Sequence, residues 1–248
     1  GVTTLDTAES YGTAHRVIGT FHEKSDEFTF KINTKFPSNF QIDNIESTLH
    51  KYLEDLKVEN IETIMFHSFS SYIANKDKLE ELLVFKKNKI VNYIGASIYT
   101  NDEFEQIIND EYIDVVQIPF NLLDNWNLRG KLILEAKKKG KVIHTRSAFL
   151  QGLFFVNINN ENKIVQNLRE ELQLIQSIAN KNGMSVSELA LNYPCNLEDI
   201  DGVLIGVDSQ TQLIENIKSI KKINSNIIHH IDEINIKNTD LLNPSLWK

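Results

Sequence analysis

Asp6, Tyr11, Lys35 and His67 are four side chains that together could deliver a proton. A phenol is a poor acid near neutrality, with a pKa of about 10. A nearby ammonium favours the phenolate and makes the proton easier to give up. A carboxylate beside that ammonium would hold it in place. Asp6 and Lys35 would form this tuning pair, Tyr11 would carry the proton, and His67 would hydrogen-bond a substrate oxygen or share the proton. A general acid of this kind contributes roughly 100- to 10,000-fold to a rate. Each residue also has a plainer structural reading. Asp6 could cap a helix after Tyr11, and Tyr11 could pack its own loop. Lys35, before Phe36-Pro37, could be a solvated strand end, and His67 a core histidine bonded to backbone.

Bringing these residues together requires a particular run of elements. Short β-rich segments alternate with longer helical patterns along the chain, as βα units around a parallel sheet do. Strands are predicted at Val2–Leu5, Phe28–Thr34, Glu62–Phe66, Asn92–Ala96, Asp114–Gln117, Val142–Thr145 and Gly202–Ile205. Helical periodicity is clearest in Ile42, Ile45, Leu49, Tyr52, Leu53 and Leu56, spaced three or four apart with charges between them. Further helices are predicted from Asp77 to Lys89, Asp102 to Asn109, Leu128 to Lys139, Glu161 to Asn182 and Ser209 to Lys222. Asp43 or Ser209 would start helices, and Gly140 and Gly183 would stop them. No linker or low-complexity tract interrupts the pattern, which predicts a single domain over residues 1–248.

The predicted fold class is α/β, a TIM-type (β/α)8 barrel with about seven strands visible in this chain. An open doubly wound sheet is the alternative. It would carry a glycine-rich phosphate loop after its first strand, and none is present. The sequence opens inside the apolar stretch Val2-Thr3-Thr4-Leu5, and Gly1 is not an initiator methionine. A further strand and helix are therefore predicted upstream of Gly1, or a second chain that covers the open strand edges.

In such a barrel the chemistry sits at the C-terminal ends of the strands. The predicted strands lead to Asp6, Lys35 and His67, and later to Ser97, Gln117, Arg146 with Ser147, and Gly206. A formal net charge of −8 argues against nucleic acid or an anionic membrane as partner, since both need clustered Lys and Arg. Cys195 is the single cysteine and can form no internal disulfide, which fits a reducing compartment. No apolar run approaches a membrane span, and the N-terminus does not read as a signal peptide. A soluble, cytoplasmic protein is predicted. The histidines do not cluster with Cys or carboxylates at ligand spacing, so no metal is expected.

At this level of detail the sequence resembles a known family. Leu5-Asp6-Thr7-Ala8-Glu9-Ser10-Tyr11-Gly12 is similar to the Asp-Thr-Ala-x-x-Tyr-Gly signature of the aldo-keto reductases. Thr34-Lys35-Phe36 resembles their catalytic-lysine strand and Phe66-His67 their catalytic-histidine strand. Tyr93-Ile94-Gly95-Ala96-Ser97 resembles the Ile-Gly-Val-Ser segment, and Val115-Val116-Gln117-Ile118-Pro119-Phe120-Asn121 the Gln-x-Pro-Tyr-Asn strand. Phe149-Leu150-Gln151-Gly152-Leu153 is similar to the turn after the seventh strand. Leu204-Ile205-Gly206-Val207-Asp208-Ser209, followed by Gln212 and Asn216, resembles the last strand and its cofactor-binding helix.

The resemblance implies reversible reduction of a small carbonyl with NADP or NAD, with Tyr11 as the acid, Asp6 and Lys35 as its tuning pair and His67 orienting or relaying. It implies that Ser97 and Gln117 hydrogen-bond the nicotinamide carboxamide. Arg146, Ser147, Gln151 and Gly152 would line the ring and pyrophosphate. Gly206, Asp208 and Ser209 would approach the adenosine phosphates, and Gln212 and Asn216 the adenine. Ile98 stands where the family usually has Asn, which removes one carboxamide contact. No Arg or Lys lies between Asp208 and Gln212 to meet a 2′-phosphate, which gives NAD more weight, although Lys218 or Arg146 could reach. Phe36, Phe69, Trp126 and the loop near Phe154 are expected as pocket walls. The Arg146 to Leu153 stretch resembles reductases encoded among surface-polysaccharide genes, which points to a sugar-derived carbonyl. Two rivals are a Lys35 Schiff-base aldolase and a nucleotide-binding barrel without turnover. The sequence leaves the oligomeric state open.

Overall fold

The computed structural model describes residues 1–25, 28–37 and 42–247. Two compact units divide the chain: Gly1–Gln117 with Lys139–Val142, and Ile118–Lys138 with Ile143–Lys248.

The first unit contains β1 (Thr4–Asp6), α1 (Ala14–Lys24), β2 (Lys31–Lys35), α2 (Ile45–Leu56), β3 (Ile61–Phe66), α3 (Phe69–Ala74), α4 (Leu79–Lys87), β4 (Val91–Ser97), α5 (Asn101–Ile108) and most of β5 (Val115–Pro119). These strands pair in parallel and in sequence order. Asp6 stands opposite Asn33, Lys35 opposite Met65, Met65 opposite Gly95, and Ser97 opposite Gln117. Parallel strands are covered on both faces and read as apolar runs. Ile64, Met65, Phe66, Ile94, Ala96, Val115 and Val116 are accordingly buried.

α2 shows why the helical pattern was legible. Ile45, Leu49, Tyr52 and Leu56 fall on one face and are buried. Its cap is Asn44, whose side chain accepts from the Ser47 N–H at 2.7 Å, and not the expected Asp43. α1 packs on α2 so closely at Gly19 that a Cβ there would stand 2.0 Å from the Asp55 carbonyl oxygen. This helix was not predicted, because its buried face is His15, Gly19 and His22 and not an apolar stripe.

The second unit contains α6 (Trp126–Lys138), most of β6 (Val142–Arg146), α7 (Lys163–Asn167), α8 (Arg169–Lys181), α9 (Val186–Cys195), β7 (Gly202–Val203), α10 (Gln210–Ser219) and α11 (Ser225–Asp232). β6 and β7 pair in parallel, with His144 opposite Gly202. Near the other end of β6 the Phe120 N–H donates to the Arg146 carbonyl at 3.0 Å. The helix predicted over Glu161–Asn182 is two helices, because buried Leu168, with φ −112° and ψ 15°, leaves the helical region. Gly140 and Gly183 follow α6 and α8 with φ of +74° and +62°, conformations that cost glycine little. β7 is shorter than predicted. α9 escaped prediction because Leu189 through Pro194 are buried without a break, so no polar face marks the period. α3 and α11 are short helices that no strong periodicity announced. Among the described residues no helix is long and apolar enough to cross a membrane.

Candidate active site

In the first unit the strand ends gather the predicted acid–base residues. Lys35 closes β2, and its side chain is 2% exposed. Its ammonium pairs with Asp6 Oδ1 and donates to the Thr7 carbonyl at 3.2 Å. The other Asp6 oxygen accepts from Gln117 Nε2 at 2.9 Å, and the Asp6 side chain is 15% exposed. A buried charge is tolerated when it is paired and its remaining hydrogen-bonding capacity is met. Here β1, β2 and β5 each supply one side chain to that end.

Tyr11 lies in the loop after β1 and is 50% exposed. The Lys35 ammonium stands 5.8 Å from its ring centroid, within the range of a cation–π contact. The His67 ring meets the Tyr11 ring edge-on at 5.8 Å, with an interplanar angle of 82°. His67 Nδ1 is hydrogen-bonded to Ser10 Oγ at 3.1 Å. Asp6, Tyr11, Lys35 and His67 therefore come together in one cluster, and two of the plainer readings fail on geometry. Lys35 is not a solvated strand end. Asp6 is not the cap of α1, which starts after Thr13.

Ser97 and Gln117 close β4 and lie in β5, and both are buried. Gln117 spends one amide hydrogen on Asp6, a role the sequence did not suggest. Ile98 is buried, and its N–H donates to the Gln117 carbonyl at 3.0 Å. Ser10 and Thr7 also went unrecognised. Ser10 occupies an unspecified position of the signature, and Thr7 contributes through its carbonyl, which no side-chain pattern reveals.

The second unit holds a groove of about 620 Å³, within the usual range for ligand sites. Of the residues predicted to contact nucleotide, Ser147, Gln151, Gly152, Gly206, Asp208, Gln212 and Asn216 line it, with Phe149 from the predicted Arg146–Gly152 segment, and beside them Leu204 and Glu215, which were not predicted as contacts. After β6 the backbone is left-handed at Ser147, Leu150, Gln151 and Gly152, with φ of +62°, +42°, +50° and +82°. Non-glycine residues seldom adopt this region, and such strain gathers at ligand-binding segments. A Cβ at Gly152 or Gly206 would meet no atom within 4 Å, so both positions open onto free space.

Ser209 caps α10, accepting from the Gln212 N–H at 3.2 Å. Gln212 Oε1 accepts from the Asp208 N–H at 2.8 Å, so this side chain helps fold the loop it was expected to present to adenine. Arg146 Nη1 donates to Ser147 Oγ at 3.5 Å at the border of the groove. The lining contains the carboxylates of Asp208 and Glu215 and no Lys or Arg, and Lys218 is not part of it. Hydroxyls, amides, two open glycines and a helix N-terminus suit a nucleotide with its pyrophosphate.

One expected pocket wall is corrected. Phe36 is fully buried, 5.7 Å from the Phe66 ring and 6.3 Å from that of Tyr52. Lys35 and Phe36 are consecutive, so their side chains leave the chain on opposite faces. Phe154 lines a different cleft, of about 280 Å³, with Leu172 and Val186. Among the described residues no group of three or more His, Cys, Asp or Glu side chains could hold a metal ion.

Solved structures that match this chain include the aldo-keto reductase AKR11C1 from Bacillus halodurans in its holo form. The TM-score is 0.78 at 17% identity, over 96% of this chain and 84% of that one. The glycerol dehydrogenase AKR11B4 from Gluconobacter oxydans matches with a TM-score of 0.74 at 16% identity, over 94% of this chain and 81% of that one. MGS-M4, an aldo-keto reductase from a Medee basin deep-sea metagenome library, matches with a TM-score of 0.72 at 17% identity, over 95% and 82%. These likenesses show the fold, that of the (β/α)8 aldo-keto reductases, with seven strands among the described residues. The sequence model of the Aldo/keto reductase family matches residues 1–236, and on that match the chain belongs to the aldo/keto reductase family.

Proposed function

We propose that this chain reduces a small aldehyde or ketone to an alcohol with a nicotinamide cofactor, and that Tyr11 is the general acid. The observation that carries the reading is the half-exposed Tyr11 ring set against the buried Lys35–Asp6 pair. The cofactor supplies the electrons when bound, and the protein supplies position, proton and electrostatics. Tyr11 gives its proton to the substrate oxygen as negative charge develops there. Lys35 stabilises the phenolate left behind, and Asp6, steadied by Gln117, holds the ammonium. His67, fixed by Ser10, hydrogen-bonds the same substrate oxygen.

Ser97 and Gln117 would hold the carboxamide. Arg146, Ser147, Gln151 and Gly152 would line the ring and pyrophosphate, Gly206, Asp208 and Ser209 would meet the adenosine phosphates, and Asn216 with the amide end of Gln212 would meet adenine. Asp208 and Glu215, with no cation in the groove lining, favour NAD over NADP. The ion pair with Asp6 works against a Schiff base at Lys35, which needs a neutral amine. A sugar-derived carbonyl is the first substrate class to screen, and the single Cys195 fits a cytoplasmic setting.

The test is to titrate NADH and NADPH separately against the chain by nicotinamide fluorescence, and then to compare carbonyl turnover with that of Tyr11→Phe. We expect NADH to bind more tightly, and Tyr11→Phe to lose roughly 100- to 10,000-fold in turnover while binding cofactor equally well. A folded chain that binds neither nucleotide overturns the reading. Undiminished turnover by Tyr11→Phe overturns the choice of acid.

A further inference from the structure

We propose that Glu9 is a positioning residue, which holds the Tyr11 loop in place over the Lys35–Asp6 pair by fastening it to α2. The functional half of this inference rests on the reaction proposed above.

Tyr11 belongs to neither a strand nor a helix, so its place depends on how the segment after β1 is tied down. The Thr7 N–H donates to the Asn33 carbonyl at 2.8 Å, and the Glu9 N–H donates to the Lys35 carbonyl at 3.2 Å. Both fix the backbone to β2. The Glu9 side chain supplies the tie in the other direction, to α2. One carboxylate oxygen accepts from the Tyr52 hydroxyl and the other from Lys51 Nζ at 3.1 Å.

Lys51 is exposed, and a surface pair of that kind contributes little. Tyr52 is the firm anchor. Its side chain is fully buried, and the His15 ring packs edge-on against it at 4.9 Å. His15 is in turn bonded to Thr34 Oγ1 on β2 at 2.7 Å. Glu9 is thus joined to α2 through Tyr52, and Tyr52 is braced from α1 and β2. Burial works against the Glu9 charge. The hydrogen bonds from Tyr52 and Lys51 and the Lys51 ammonium outweigh it, so the carboxyl is held below its ordinary range and accepts both donors. Two residues further on stands Tyr11. A loop freed at Glu9 would let the phenol drift from the ammonium, and a misplacement of about 1 Å can cost on the order of 100-fold in rate.

The full chain, Glu9→Ala, Glu9→Gln and Tyr52→Phe would be compared by hydrogen exchange of the peptide spanning residues 6–12. Steady-state kinetics would use glyceraldehyde as the probe carbonyl, with NADH or NADPH. In Glu9→Ala we expect amide exchange of that peptide to quicken about tenfold or more, and kcat to fall about 10- to 100-fold with the cofactor KM unchanged. Tyr52→Phe should reproduce both effects. Glu9→Gln, whose amide oxygen still accepts from Tyr52, should restore most of each. Exchange and kcat that stay at wild-type values in Glu9→Ala overturn the proposal. So does a general loosening in which kcat and KM fail together, since that is a folding defect and not a clamp. If the unaltered chain turns over no carbonyl, the proposed reaction fails and hydrogen exchange alone judges the clamp. A loop loosened in Glu9→Ala then supports it, and an unchanged loop overturns it.

Discussion

The Lys35–Asp6 pair makes a quantitative prediction, because its two members are unequally buried. Asp6→Asn leaves the Lys35 ammonium, 2% exposed, with the Thr7 carbonyl at 3.2 Å still accepting. Lys35→Met leaves the Asp6 carboxylate, 15% exposed, which retains the Gln117 amide at 2.9 Å. Removing one side of a buried pair costs about 3–5 kcal/mol, chiefly because the other charge is left uncompensated. The better-solvated orphan is the carboxylate. We therefore place Lys35→Met near the low end of that range, about 3 kcal/mol, and Asp6→Asn near the top, about 5 kcal/mol. For a chain of this size each kcal/mol moves the melting temperature by about 2–4 °C, which gives losses of roughly 6–12 °C and 10–20 °C. The double variant Asp6→Asn/Lys35→Met leaves no buried charge and should lose less than either single change, about 1–2 kcal/mol.

Urea unfolding near neutral pH, followed by far-ultraviolet circular dichroism, reads all three values, with thermal melts as a check. Additive losses in the double variant would show that the two charges do not depend on each other. A Lys35→Met variant less stable than Asp6→Asn would show that burial does not set the order. Either result would refute the reasoning.

Gly19→Ala would drive a methyl into the Asp55 carbonyl at 2.0 Å, a backbone atom that cannot swing aside. We expect a loss of about 3 kcal/mol or more in urea unfolding, at the upper end of overpacking, and a loss below about 1 kcal/mol would mean that α1 does not sit as described. Burial holds the His15 imidazole below its ordinary value, against the opposing pull of Glu9 and Asp55. The unfolded chain therefore binds that proton more readily, and the stabilising effect of neutral His15 is full above about pH 6.5 and lost as pH falls through the lower folded value. Between about pH 7.5 and 5 the urea midpoint should fall, and less so in His15→Gln; an equal fall in both would remove His15 as the cause.

The strand ends were legible because a parallel barrel writes them plainly: an apolar run that stops at a polar residue. Asp6, Lys35, Ser97 and Arg146 each close a strand, and His67 follows one directly. The helices were legible only where one face is wet, as in α2. Leu189 through Pro194 of α9 are buried without a break and α1 buries two histidines and a glycine, so neither shows the apolar period. Cross-strand partnership was harder still. Gln117 and Asp6 are far apart in sequence and join only because both side chains turn to the same face of their strands. Phe36 was misplaced for the converse reason, since its neighbour Lys35 took the site-facing direction. The left-handed residues Ser147, Leu150 and Gln151 gave no warning, because nothing in their chemistry demands that conformation.

Three buried tyrosines each donate a hydroxyl hydrogen bond to a carboxylate: Tyr52 to Glu9, Tyr72 to Asp110 and Tyr193 to Asp232. Burial and the adjoining acid push all three phenols well above the ordinary tyrosine range. In an ultraviolet absorbance titration these three rings should respond only above the ordinary tyrosine range. Subtracting the trace of Tyr11→Phe then isolates one phenol. The same packing that locks three rings away gives the fold its own optical filter, through which the proposed acid can be watched without substrate, cofactor or label.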